Sequence, residues 1–167
     1  AGISQLPGAL AEASEVQSKL ESAGFACAQL QGAAATKEAV VRAVTSASVV
    51  HLATHGCPDG LFLAGDSDPE KPSLSTVDVY GLELSADLAI LSACDTFKGE
   101  LRTDGVVGIS RAFLAAGASS VGVTLWKVDD RATKELMVHF YARFVAGEGA
   151  AAAMRGAMRA MIRAGCW

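Results

Sequence analysis

Aromatic side chains are scarce in this chain, at 6% of residues, so the bulk of any core must come from aliphatic groups packed between helices and strands. Charged residues are also few, at 19%, and no excess of positive charge stands among them. Fourteen Lys and Arg face eighteen Asp and Glu, a net charge of −4, which argues against a nucleic-acid binder, whose footprint is a basic patch. No apolar run approaches the roughly 18 residues that a membrane-spanning helix needs, so no membrane contact is expected. The four cysteines, Cys27, Cys57, Cys94 and Cys166, are widely spaced and lack a CxxC pair. A disulfide framework is therefore not expected, and a reducing, cytoplasmic compartment is. No signal-peptide pattern opens the chain, which begins at Ala1 without an initiator Met and reads as a piece of a longer protein.

What is abundant is apolar residues, at 51% of 167, a composition that excludes intrinsic disorder. A chain of this length is about one domain and buries about 70% of its unfolded surface, so residues 1–167 are expected to form one domain around a real core.

The hydrophobic pattern alternates between helix and strand. Pro7 and Gly8 open a helix with Leu10, Ala13, Val16, Gln17 and Leu20 on one face, and Gly24 stands where a left-handed cap belongs. Phe25–Leu30 alternates like a short strand. Thr36 is placed to cap a helix over Lys37–Ala47, with Val40, Val41 and Val44 on one side. Ser48–Thr54 and Asp87–Ala93 are apolar runs of the kind that form strands buried on both faces. Between them, Cys57–Gly81 is rich in turn residues and holds one apolar piece, Leu61–Leu63, that reads as an edge strand or hairpin arm. Thr103 or Asp104 caps a helix over Gly105–Ala116, stopped by Gly117. Ser119–Trp126 is a further buried strand. Asp129 or Asp130 caps Arg131–Ala146, stopped by Gly147, and Ala150–Arg163 is a last, Ala-rich helix. Strands alternating with helices predict an α/β sandwich around a mostly parallel sheet.

In such a sheet, ligands bind outside the carboxyl ends of the strands. Two of the buried strands end in reactive residues: one delivers His55-Gly56 and the other Cys94. If those strands are neighbours, imidazole and thiol emerge at the same rim. A cysteine nucleophile needs that arrangement, because the thiolate attacks and a free thiol of pKa about 8.5 is only about 3% ionised at pH 7. The backbone N–H groups of Gly56 and Cys94 are candidates for an oxyanion hole, in which one donor contributes about 3 kcal/mol. His55, Cys57 and Cys94 as a zinc site is the weaker reading, since the spacing matches no metal motif; no metal and no cofactor are expected. His51 reads as structural and His139 as an exposed helix residue.

The segments Val49-Val50-His51-Leu52-Ala53-Thr54-His55-Gly56 and Leu91-Ser92-Ala93-Cys94-Asp95-Thr96 resemble the paired signatures of the CHAT domain, a caspase-like peptidase domain often attached to TPR repeats. The resemblance continues through Asp104–Gly108, Arg111–Ala118, Val123–Asp130, Ala132-Thr133 and Phe140-Tyr141, and reaches back to Leu6–Ala9 and Glu12-Ala13. It implies a caspase-like three-layer α/β/α sandwich, with His55 as general base and Cys94 as nucleophile of a cysteine peptidase acting on a protein or peptide. It also implies TPR or other repeats elsewhere in the parent chain. The resemblance finds no counterpart in this sequence for the strand that precedes Leu6 in the family or for the closing strand after Trp167, so the sheet is expected to lack one or both edge strands. Phe97 stands after Thr96 where family members commonly carry Gly. This departure supports the alternative reading, a catalytically silent interaction module beside repeats.

Carboxylates near these positions suggest a specificity. Asp95 follows the nucleophile, and Asp129 and Asp130 follow a strand's carboxyl end, where an acidic wall suits a Lys or Arg side chain before the cleaved bond. One of Asp129 and Asp130 is needed as a helix cap, which makes Asp130 the preferred wall.

Overall fold

A computed structural model of the chain describes residues 6–57, 59–68, 71–93, 103–124 and 129–165. Cys94 and Asp95 lie outside the described residues. Two compact units are formed, one from Ala1–Leu6 with Leu30–Lys127 and the other from Pro7–Gln29 with Val128–Trp167.

The first unit is organised by a parallel sheet. Strand β1 (Val49–Thr54) pairs with β5 (Leu88–Ala93), and β5 pairs with β6 (Val121–Val123), in the order β1-β5-β6. All six residues of β5 are buried, as the uninterrupted run Leu-Ala-Ile-Leu-Ser-Ala requires of a strand covered on both faces. One of those faces joins the main core. Ala89, Leu91 and Ala93 pack with Val50 of β1, with Val40 and Val44 of helix α2 (Lys37–Ser46), and with Ile109, Ala112 and Phe113 of helix α4 (Thr103–Ala115). Helix α2 starts where the sequence predicts, with the Thr36 hydroxyl accepting from the Ala39 N–H at 3.3 Å. Helix α4 begins at Thr103, earlier than the Gly105 start expected, and β6 is a short core of the expected Ser119–Trp126 strand. Gly117 ends α4 at a φ of +117°, and a Cβ there would lie 2.3 Å from the Leu84 carbonyl oxygen. Only glycine suits this close approach, which is secured by the Leu84 N–H donating to the Ala116 carbonyl at 2.7 Å.

Within the turn-rich stretch lies a second, antiparallel sheet of β2 (Gly56–Cys57), β3 (Gly60–Leu61) and β4 (Leu74–Ser75). It leads into the short helix α3 (Thr76–Tyr80). Ser75 and Asp78 form a reciprocal capping box: the Ser75 Oγ accepts from the Asp78 N–H at 3.1 Å, and Asp78 Oδ2 accepts from the Ser75 N–H at 2.9 Å. Lys37 Nζ stands 2.8 Å from the same Oδ2, tying the start of α2 to α3.

The second unit contains helices α1 (Pro7–Ser22), α5 (Asp130–Phe144) and α6 (Ala150–Ala164), with α5 packed against both α1 and α6. Along α1 the buried positions are Glu12, Val16 and Leu20, whereas Leu10, expected on the apolar face, is 51% exposed. Tyr141 of α5 is fully buried, and its hydroxyl is pushed well above the usual tyrosine range, first by burial and then by the charge of Glu12. Phe25–Leu30 corrects the sequence reading. Phe25, Cys27 and Gln29 are half-buried and their neighbours exposed, so the alternation is real, yet the segment forms no strand. Alternation reports a side that packs; a strand also needs a ladder partner.

The chain is thus mixed α/β with a parallel three-stranded sheet and helices, compatible with a caspase-like α/β/α sandwich. No helix among the described residues is long and apolar enough to cross a membrane.

The Asp78 cluster gives a pH signature. Hydrogen bonds from Lys37, then from Ser75, lower the Asp78 pKa from 3.8 to about 2. A depressed carboxylate pKa adds stability that is complete above the unfolded value and is lost as pH falls through the folded one, here between about 4 and about 2. Asp78→Asn is expected to cost about 1 kcal/mol at neutral pH, the pair being partly exposed, and to flatten the loss of stability across that acid window. Urea unfolding from pH 7 to 2 measures both.

Candidate functional site

Parallel pairing sets the level at which strands end. Val49 stands opposite Leu88 and Thr54 opposite Ala93, so β1 and β5 finish together, and β6 runs the same way on the far side of β5 with Val123 opposite Leu91. The carboxyl ends of all three strands therefore share one rim, the side of a parallel sheet where ligands bind. Thr124, just past β6, donates its hydroxyl to the Ala93 carbonyl at 3.1 Å, holding the end of β5 to that of β6.

His55 is the first residue beyond β1 at this rim and is half-buried. Its carbonyl accepts from the Phe62 N–H at 3.0 Å, and the Thr54 hydroxyl donates to the Phe62 carbonyl at 2.6 Å. Phe62, just past β3, thus holds His55 by its carbonyl and the preceding Thr54 by its hydroxyl. Hydrogen-bonded and open pairs alternate along an antiparallel ladder. With the His55 carbonyl already bonded to Phe62, the next pair, Gly56 and Leu61, is an open one, and the buried Gly56 turns its N–H away from β3.

The hairpin is itself braced. A Cβ on Gly60 would lie 2.2 Å from the Leu74 carbonyl oxygen, so β4 closes on β3 as only glycine permits. Asp66 Oδ2 accepts from the Leu63 N–H at 2.9 Å, from the Ser73 N–H at 3.0 Å and from the Ser73 hydroxyl at 3.0 Å. One carboxylate oxygen thereby draws the two ends of the loop together. Sequence reading missed Asp66; the available signal was the Gly65-Asp66-Ser67 turn, in which Asp characteristically accepts from nearby backbone.

The remaining site candidates fall differently. Asp129 is the cap of α5, its Oδ1 accepting from the N–H groups of Arg131 at 3.0 Å and Ala132 at 3.1 Å. Asp130 is exposed at the first position of that helix, beside Gly8 of α1. His51 is half-buried opposite Ile90, and His139 is exposed on α5 as expected. Among the described residues no three His, Cys, Asp or Glu side chains gather as a metal site.

Cys57 is half-buried and unpaired in any disulfide. Burial pushes its thiol above the ordinary value, against the opposing pull of the Asp59 and Gly60 N–H groups, so it is held in the protonated, poorly nucleophilic form. Alkylation of Cys57 by iodoacetamide at pH 7.5 is expected to run about threefold or more slower in the folded chain than in urea, read by peptide mass spectrometry.

Comparison with known proteins adds identity to this geometry. The CHAT domain family model matches residues 1–167. The chain is 33% identical over 172 residues to tetratricopeptide repeat protein 28 of Mus musculus, a match covering 80% of this chain and 7% of that protein. It is 32% identical over 184 residues to tetratricopeptide repeat protein 28 of Homo sapiens, covering 87% of this chain and 7% of the relative. The chain thus corresponds to a small part of relatives named for their repeats. Matched along its whole length, the chain belongs to the CHAT domain family.

Proposed function

We propose that this chain is a CHAT-type cysteine peptidase domain that cleaves peptide bonds with a dyad of Cys94 and His55. The observation that carries the reading is the in-register pairing of Thr54 with Ala93, because His55 and Cys94 are the next residues after that pair in the sequence. In the proposed reaction His55 takes the thiol proton and the Cys94 thiolate attacks the scissile carbonyl. The tetrahedral intermediate's oxyanion accepts from the N–H groups of Gly56 and Cys94, and the open ladder position of Gly56 supports its part in this. The intermediate collapses to a thioester as the imidazolium gives its proton to the leaving amine. Water, deprotonated by His55, then attacks the thioester; the acid is released and the proton returns to the thiolate.

The substrate in this reading is a protein or peptide, with Lys or Arg before the cleaved bond. Asp95 adjoins the nucleophile in the chain. Asp129 commits one oxygen to the α5 cap, which leaves the exposed Asp130 as the main carboxylate for a basic side chain. Repeats of the parent protein are the proposed neighbours, in line with the names of the relatives, and the proposed setting is cytoplasmic. The alternative reading is a CHAT-fold module that regulates or scaffolds repeats without cleaving anything, with which those names are equally compatible.

A peptidyl acyloxymethyl ketone with Arg next to the warhead is expected to label Cys94, and labelling is expected to vanish in Cys94→Ala and His55→Ala. Turnover of a fluorogenic Arg peptide is expected to fall about a thousandfold or more in both variants. Modification at Cys57 instead, or labelling indifferent to His55, sinks the dyad; a folded chain that neither labels nor cleaves favours the scaffold. Arg and Lys peptides are expected to outrun Asp and Leu peptides, with Asp130→Asn slowing the Arg peptide about tenfold through KM. A preference for Asp would end the acidic-wall proposal and leave the dyad standing.

A further inference from the structure

Three of the fourteen basic residues fall on one face of α6: Arg155, Arg159 and Arg163 recur at every fourth position, a stripe about 12 Å long at 1.5 Å rise per residue. All three are exposed. They line a cavity of about 240 Å³ together with Arg143, Glu148 and Gly156. Arg143 reaches this cavity from α5, paired with Glu148 at 2.7 Å. Its guanidinium lies across α6 because position 156 is glycine; a Cβ there would meet Cζ at 2.6 Å. Four guanidiniums therefore share one surface of a chain whose net charge is −4, and only one of them forms an ion pair among the described residues. Like charges four apart on a helix repel and weaken it. The helix dipole favours Arg163 in the last turn, but not Arg155 and Arg159. Beside the stripe, Met158 and Ile162 are 50% and 52% exposed, while the opposite face of α6 is buried through Ala153, Ala157 and Met161.

We propose that this outer face of α6 is a docking surface for an acidic amphipathic helix of a protein partner. Carboxylates repeated every fourth residue on the partner match the arginine repeat, and an apolar edge on it covers Met158 and Ile162. The stripe is linear rather than convergent, which suits several carboxylates along a segment better than one compact anion. Two exposed apolar side chains are too narrow a band to seat α6 in a bilayer interface, where a continuous apolar face is needed. Duplex nucleic acid would meet the acidic remainder of the chain as well as the stripe.

The test uses the whole chain and a fluorescein-labelled, end-capped 16-residue helical peptide with Glu at every fourth position flanked by Leu, its anisotropy read at low salt. Binding is expected, with none for the same peptide carrying Gln in place of Glu. Arg155→Gln with Arg159→Gln is expected to weaken binding about tenfold, and Met158→Ser with Ile162→Ser about threefold. Circular dichroism checks that each variant keeps its helices. Reversal provides an independent arm: Arg155→Glu with Arg159→Glu is expected to reject the Glu peptide and take the same peptide bearing Lys. The proposal is overturned if the Glu peptide does not bind or binds the Gln double variant equally. It is also overturned if phosphatidylserine vesicles or duplex DNA bind more tightly than the peptide through the same arginines.

Discussion

The first unit depends on the parallel ladder between β1 and β5. β5 is buried at every position, so its backbone has no water to turn to and must be bonded on both edges, to β1 on one side and β6 on the other. Slipping a strand by one residue would exchange the faces of its side chains, moving Val50 out of the core it shares with Ala89, Leu91 and Ala93. The core therefore fixes the register, and the register fixes which residues leave the sheet at its carboxyl rim. Whatever chemistry His55 performs is positioned by the burial of Val50 five residues earlier.

Beyond the ladder, a small number of polar groups do most of the local steering. Thr36, Ser75 with Asp78, and Asp129 each satisfy N–H groups that a helix start leaves open, and so determine where α2, α3 and α5 begin. Asp78 serves α3 and pairs with Lys37 at the start of α2, linking two elements that flank β1 and the small antiparallel sheet in sequence. Asp66 draws the loop after β3 back to Ser73, just ahead of β4. Few charges are available, and in the first unit Lys37, Asp66 and Asp78 serve helix starts and a turn. The arginines of α6 depart from that economy, which is why that face invites a partner.

Much of this was legible beforehand. Apolar runs marked β1 and β5, Thr36 and the pair Asp129-Asp130 marked helix starts, and Gly24, Gly117 and Gly147 marked stops; all three glycines have positive φ. Each of these features is written within a few consecutive residues, because a cap or a buried run depends on local backbone geometry and on the face a side chain presents. The same locality made His55 and Cys94 stand out, each directly following an apolar run.

Pairing is not local, and here tertiary structure decided. That β1 lies beside β5, with β6 beyond it, follows from how the core closes and from no periodicity in any one segment. Strands β2 and β4 are two residues each, too short to leave a period, and β4 closes on β3 because Gly60 lets Leu74 approach. Phe25–Leu30 has the alternation of a strand without the ladder. On α1, helical spacing named a face containing Leu10, Val16 and Leu20; packing buried Val16 and Leu20 but left Leu10 exposed and buried Glu12 in addition. A sequence determines which residues seek burial and where the chain can bend; the partner across the interface, which settles register and face, belongs to the folded whole.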